Sequence, residues 1–264
     1  TRTASSGRTL YRWADDRVYV RHLGVWIDTY LLRSRDRGET WTRVIVPEGE
    51  IAALAPYDDT IYIAMRGDGA VYRSQDGGGS WAPMGRVPVE SRPWAVMQRP
   101  DAIYVAADNG VYRTGDDGAH WVSINSGLPN DPEVRRLGSV DDTLLAVVAR
   151  SGVYRSADEG TTWAPSLRVE ESIGGLLEVD GVVYAAVNVR GVLRSVDRGA
   201  SWTSLGLTRT GLEGLAASDT ALYVSTSAGV FVRSQSGEWR PVPVQAGTPA
   251  ISTLTGSDGR VYAG

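Results

Sequence analysis

The chain has 264 residues, no cysteine and a formal net charge of −4. The length suits one large all-β domain or two smaller ones, and the absence of cysteine excludes disulfides and thiolate chemistry. The acidic balance argues against a general nucleic-acid binder, which needs a basic face, and no apolar stretch approaches the roughly 18 residues of a membrane span.

A corner motif of the form S-x-D-x-G-x-x-W recurs along the chain. It has five full copies, one of which begins with Thr, and a shortened sixth copy that lacks the Asp. The copies begin at Ser34, Ser74, Thr114, Ser156, Ser195 and Ser234, which are 40, 40, 42, 39 and 39 residues apart. A fixed period of this length indicates an array of supersecondary units.

A second repeat, an Asp-containing turn followed by a short apolar strand, runs in step with the corner motif. Its seven copies start at Asp16, Asp59, Asp101, Asp142, Asp180, Asp219 and Asp258. Each unit therefore divides into four antiparallel strands, A to D. The Asp turn joins A to B, and the corner motif joins C to D.

Four antiparallel strands in every 40 residues predict an all-β fold, a β-propeller. Seven hairpins predict seven blades in one domain over residues 1–264, with six blades as the alternative. Either residues 1–7 add a strand to the last blade, or the natural protein continues with a C strand and a further corner motif. The predicted blades are 7–47, 48–88, 89–128, 129–169, 170–207, 208–245 and an incomplete 246–264.

The corner motif is predicted to be structural. Its carboxylate can accept backbone N–H groups, its Gly permits a positive φ, and its Trp can bury a large ring between sheets. A calcium loop would need more carboxylates, so no metal site is predicted. The structural residues are Asp36, Trp41, Asp76, Trp81, Asp116, Trp121, Asp158, Trp163, Asp197 and Trp202.

On these motifs the chain resembles the Asp-box, or BNR-repeat, β-propeller family. That family includes sialidases, sortilin-type receptors and photosystem II assembly factors. The resemblance covers nearly the whole chain and is strongest to single-ring assembly factors and related bacterial proteins. It implies polypeptide docking and an extracytoplasmic location, periplasmic or secreted, but it carries over no partner-specific residue.

Arginines are frequent in the B-to-C and D-to-A loops, which lie opposite the corner motifs. Because Arg suits carboxylate, sulfate or phosphate, these loops form the predicted binding face. Glutamates in the same loops, such as Glu50 and Glu171, make mutual neutralisation the alternative. The predicted binding residues are Arg66, Arg92, Arg135, Arg136, Arg150, Arg190 and Arg209, with Trp26 and Trp94 as aromatic candidates.

Material for catalysis is sparse. Only two histidines occur, and the tyrosine and Arg-Ile-Pro patterns that a sialidase resemblance would imply are missing. No catalytic residue or cofactor is predicted. We expect a non-catalytic monomer that docks a protein or an anionic glycan and inserts into no membrane. The alternative is a glycoside hydrolase or lyase with a carboxylate pair such as Glu171 and Glu213.

Overall fold

The computed structural model describes residues 2–6, 9–13, 18–20, 25–27, 30–87, 92–208, 211–234, 237–243, 253–257 and 259–263. The chain divides into two compact units, residues 1–123 and 124–264. All regular elements in the described ranges are β-strands. None of these ranges contains a helix long and apolar enough to cross a membrane.

The first unit has three four-stranded antiparallel sheets and one short hairpin. Its strands are β1 Arg2–Ser6, β2 Thr9–Trp13, β3 Val18–Val20, β4 Val25–Ile27, β5 Leu31–Ser34, β6 Thr42–Val44, β7 Ile51–Tyr57, β8 Thr60–Met65, β9 Ala70–Ser74, β10 Ala82–Arg86, β11 Pro93–Arg99, β12 Ala102–Ala107, β13 Gly110–Thr114 and β14 Val122–Ser123. The sheet orders are β1-β2-β5-β6, β7-β8-β9-β10 and β11-β12-β13-β14, and β3 pairs with β4.

The second unit also has three four-stranded antiparallel sheets, followed by a hairpin. Its strands are β15 Val134–Val140, β16 Thr143–Val148, β17 Gly152–Ser156, β18 Ala164–Arg168, β19 Ile173–Val179, β20 Val182–Val187, β21 Gly191–Ser195, β22 Thr203–Ser204, β23 Leu212–Ser218, β24 Ala221–Thr226, β25 Gly229–Ser234, β26 Trp239–Pro241, β27 Leu254–Ser257 and β28 Arg260–Ala263. Each sheet follows chain order.

The all-β propeller prediction is confirmed, with six four-stranded blades among the described residues. The prediction of seven blades is wrong, and the six-bladed alternative matches. The last Asp hairpin forms only the two-stranded sheet of β27 and β28, which packs against β23. Counting Asp turns overestimated the blades because a two-stranded hairpin carries the same turn as a full blade.

The first blade is built differently from the expectation. Residues 2–6 form β1, which pairs with β2 in the first blade, with Arg2 opposite Trp13. Strands A and B of this blade are therefore β1 and β2, and an inserted hairpin, β3 and β4, follows Asp16 in the chain. The Asp-turn pattern misassigned this hairpin because a short apolar strand follows the Asp in both settings.

Strands B supply much of the apolar core. β12 and β16 are buried along their whole length, because both faces of a middle strand pack against neighbouring sheets. In the first unit Ile61, Ile63 and Met65 of β8 are at most 2% exposed. Such strands read as continuous apolar runs rather than as strict alternation.

The corner motif forms a closed set of hydrogen bonds. In the second blade the Ser74 hydroxyl donates to Asp76 Oδ1 at 2.8 Å and accepts from the Gly78 N–H at 2.8 Å. Asp76 also accepts the N–H and the hydroxyl of Ser80, at 2.9 and 2.7 Å. Gly78 has a φ of 96°, a conformation that a Cβ disfavours. The carboxylate therefore fixes the turn between strands C and D.

Five of the six motif tryptophans tie their corner to an earlier part of the same unit. The indole N–H of Trp163 donates to the Ile124 carbonyl at 2.7 Å, and that of Trp121 to the Met84 carbonyl at 2.9 Å. Trp41 differs, since it is 36% exposed and its indole N–H bonds within its own motif, to Gly38.

We expect Trp163→Phe to lower the free energy of unfolding by about 1–3 kcal/mol, because the Ile124 carbonyl loses its donor in a part-buried hydrogen bond. Urea denaturation of wild type and variant measures this difference. Trp41→Phe is the matched control and should cost about 1 kcal/mol or less, because that ring is partly exposed. Equal losses in the two variants would contradict the assigned role of the Trp163 bond.

The motif carboxylates also predict an acid-dependent loss of stability. Hydrogen bonds from Ser156 and Thr162 lower the pKa of Asp158 to about 2, and bonds from Ser201 lower the pKa of Asp197 to about 2. An unfolded Asp has a pKa of about 3.9. Because the folded pKa is the lower one, this stabilisation is present above about pH 4 and is lost as the pH falls towards 2.

The urea concentration at the unfolding midpoint should therefore stay constant between pH 7 and about 5 and fall steeply from about pH 4 to 2. Asp158→Asn should lower the midpoint at pH 7 and make the fall at acid pH shallower. A wild-type midpoint that stayed constant from pH 5 to 2.5 would rule out this stabilising role.

Candidate functional site

In the second to sixth blades the B-to-C turn meets the segment before strand A at one edge of the blade. The N–H of Arg66 donates to the Glu50 carbonyl at 2.8 Å, and that of Ala149 to the Glu133 carbonyl at 2.9 Å. In the fifth blade Asn188 donates in the same way to Ser172, at 2.9 Å. These bonds hold the predicted binding loops on their strands.

The same bonds give the register of the turns. They align Arg66 with Ala149 and Asn188, so Arg150 lies one position later and Arg190 two positions later. The sequence alone predicts equivalent positions for Arg66, Arg150 and Arg190 after strands B. The positions are not equivalent, because the three arginines are the first, second and third residues of their turns when counted from this bond.

In the first unit the predicted arginines contact their own neighbours. Arg66 Nη1 lies 3.1 Å from Glu50 Oε1, as the neutralisation alternative expects. The Arg92 guanidinium lies 4.0 Å from the centre of the Trp94 ring, and the Trp94 indole N–H donates to Asp108. Trp94 is thus half-buried between a cation and a carboxylate.

In the second unit two of the predicted arginines line one cleft. Its volume is about 410 Å³, within the range of ligand pockets. It lies where the turns β16–β17 and β20–β21 meet the segment after β18. The lining residues are Arg150, Ser151, Arg168, Val169, Glu170, Glu171 and Arg190.

The charges in this cleft are unequally paired. Arg190 Nε donates to Glu171 Oε1 at 3.0 Å. A backbone hydrogen bond and then the Arg190 bond lower the pKa of Glu171. Arg150 and Arg168 are exposed, and neither side chain has a hydrogen bond or ion pair within the described part of the chain. Three arginines and two glutamates leave one net positive charge.

Arg135 and Arg136 do not line the cleft. Arg135 pairs with Glu133 at 2.6 Å. Arg136 is exposed on β15, with its Cα opposite Val147. Trp26 lies in β4 with its backbone opposite Tyr19, while its side chain and the whole of Arg209 fall outside the described residues.

Arg168 is the residue that sequence reasoning missed. It ends β18 five residues after Trp163, as Arg86 ends β10 five residues after Trp81. Arg86 lies 3.1 Å from Asp68 in the adjacent turn, whereas the corresponding turn of the fourth blade holds Arg150. An arginine at this position beside a turn without an acid is the pattern that would have identified it.

The acid–base chemistry of a glycoside hydrolase finds little support at Glu171. A general acid needs a raised pKa so that it holds its proton near neutrality. The pKa of Glu171 is lowered, and its carboxylate is bound to Arg190. Glu171 is therefore suited to orient Arg190 rather than to donate a proton.

Comparison with known proteins supports the fold. A family model described as the DUF6242 beta propeller domain matches residues 56–173, less than half of the chain. No curated protein matches the sequence. Among solved structures, one described as YCF48 bound to D1 peptide has 18% identity and a TM-score of 0.65, and the match covers 90% of this chain and 80% of that one.

Two further solved structures with a similar fold are a designed protein and an enzyme. The computationally designed Ika8 protein has 13% identity and a TM-score of 0.68, with 97% of this chain and 77% of that chain covered. The GH74 xyloglucanase from Xanthomonas campestris has 17% identity and a TM-score of 0.67, with 87% and 44% covered. At these identities the likeness concerns the fold, and the predicted resemblance to such propellers is confirmed at that level.

Proposed function

We propose that the chain is a non-catalytic docking module that binds an acidic protein segment through the cleft of Arg150, Arg168 and Arg190. The observation that carries this proposal is the pair of exposed guanidiniums, Arg150 and Arg168, without a partner in the described residues. Guanidinium groups bind carboxylates through paired N–H donors. Arg190, held by Glu171, supplies a third and preoriented donor group.

A similar fold that holds a peptide adds support. The YCF48 structure is described as bound to D1 peptide, so a propeller of this kind can hold a polypeptide. An anionic glycan is the other partner chemistry that the arginines suit, and the experiment below distinguishes the two. The proposal extends to an extracytoplasmic monomer, which rests on the resemblance to the Asp-box family alone.

Charge reversal tests the cleft. We expect the double variant Arg150→Glu, Arg168→Glu to weaken binding of an acidic peptide at least about tenfold, because two attractive charges become repulsive. The probe is a fluorescent decapeptide of alternating Glu and Leu, and anisotropy gives its affinity. The melting temperature should stay within about 2 °C of wild type, because both side chains are exposed.

The control is Arg43→Glu, Arg194→Glu, which makes the same change in charge at two exposed arginines outside the cleft. It should retain most of the affinity. Loss of binding in both double variants would indicate a non-specific charge effect and count against the cleft. Binding of a polygalacturonate oligomer in place of the peptide would favour the glycan partner, and release of shorter products would favour the hydrolase alternative.

A further inference from the structure

The two turns that border the cleft share an unusual backbone conformation. At equivalent positions of the β16–β17 and β20–β21 turns, Arg150 has a φ of 57° and Val189 a φ of 69°. The equivalent residue of the second blade is Gly67, with a φ of 94°. In these three turns this position adopts the left-handed region, which glycine enters without steric cost.

Valine is a poor choice for such a position. A β-branched side chain at positive φ is an outlier that costs stability. The Val189 side chain gains little from burial in return, because the residue is 58% exposed. Strained residues that persist without a packing benefit cluster at binding sites.

Val189 does not line the cleft itself but adjoins it in the chain. It directly precedes Arg190, which lines the cleft. An aliphatic side chain presents a surface suited to apolar side chains, whereas sugar rings pack against aromatic faces. Beside a cationic cleft, the chemistry that fits this surface is a polypeptide with carboxylates and apolar side chains close together.

We propose that Val189 is a specificity-determining residue that selects acidic segments in which an apolar side chain adjoins the carboxylate. This inference rests on the proposed docking function of the cleft. The arginines bind the carboxylates, and Val189 covers the neighbouring apolar side chain. The positive φ of Val189 lowers the stability of the free protein, and the selectivity comes with that cost.

Two labelled decapeptides test the inference, one alternating Glu with Leu and the other alternating Glu with Ser. Wild type should bind the Glu–Leu peptide about three- to tenfold more tightly, because burial of apolar surface adds to the charge attraction. Val189→Asn should remove this preference while leaving the affinity for the Glu–Ser peptide unchanged. Because Asn tolerates the left-handed region, the variant's melting temperature should rise by a few degrees.

The control is Val196→Asn, which alters another exposed valine, 64% exposed and located in the fifth corner motif. It should keep the preference. A preference that persists in Val189→Asn, or equal affinity of wild type for the two peptides, would overturn the inference. So would loss of the preference with a lower melting temperature, because that pairing indicates a structural role.

The charge-reversal variant separates the two proposals. If Arg150→Glu, Arg168→Glu abolishes binding of both peptides while Val189→Asn keeps the Glu–Leu preference, the docking site stands and only the role of Val189 fails. If wild type binds neither peptide, or the charge-reversal variant binds both as wild type does, the proposed function fails.

Discussion

The fold depends on satisfying the backbone at the reversal between strands C and D. A tight reversal leaves N–H groups without partners in the strands, and each unsatisfied buried group is costly. The motif carboxylate solves this problem by accepting from the chain four residues later, while the motif hydroxyl accepts from the glycine N–H. With its ends fixed in this way, each blade can present its remaining loops at the opposite edge.

Much of the architecture could be predicted from the sequence because the turns between strands C and D need particular residues. The hydroxyl residue, Asp, Gly and Trp recur at fixed spacing and make the observed bonds in the full copies, so the corner motif located the C-to-D turns correctly. The Asp turn is less specific, because any tight hairpin accepts an Asp. It therefore added a blade at β27–β28 and misplaced the first blade, whose strand B is β2 rather than the segment after Asp16.

The candidate site could be predicted only in part from the sequence, for a different reason. Arg150 and Arg190 stood out by their place after strands B, but which arginines remain unpaired depends on side-chain contacts across loops. Arg66 and Arg190 each have a glutamate partner, and Arg92 packs on Trp94. Arg168 escaped notice because its blade lacks the acid that pairs with Arg86 in the second blade. The missing acid becomes visible only when the fourth blade is aligned with the second, where Asp68 pairs with Arg86.

The outer strands carry a consequence for behaviour at high concentration. Each strand D has one edge without a partner in its sheet, and such edges can template pairing between molecules. β14 and β22 are only two residues long, while β10, β18 and β26 each contain a proline, which cannot donate to a neighbouring strand. These features discourage edge-to-edge aggregation of copies at five of the six strands D.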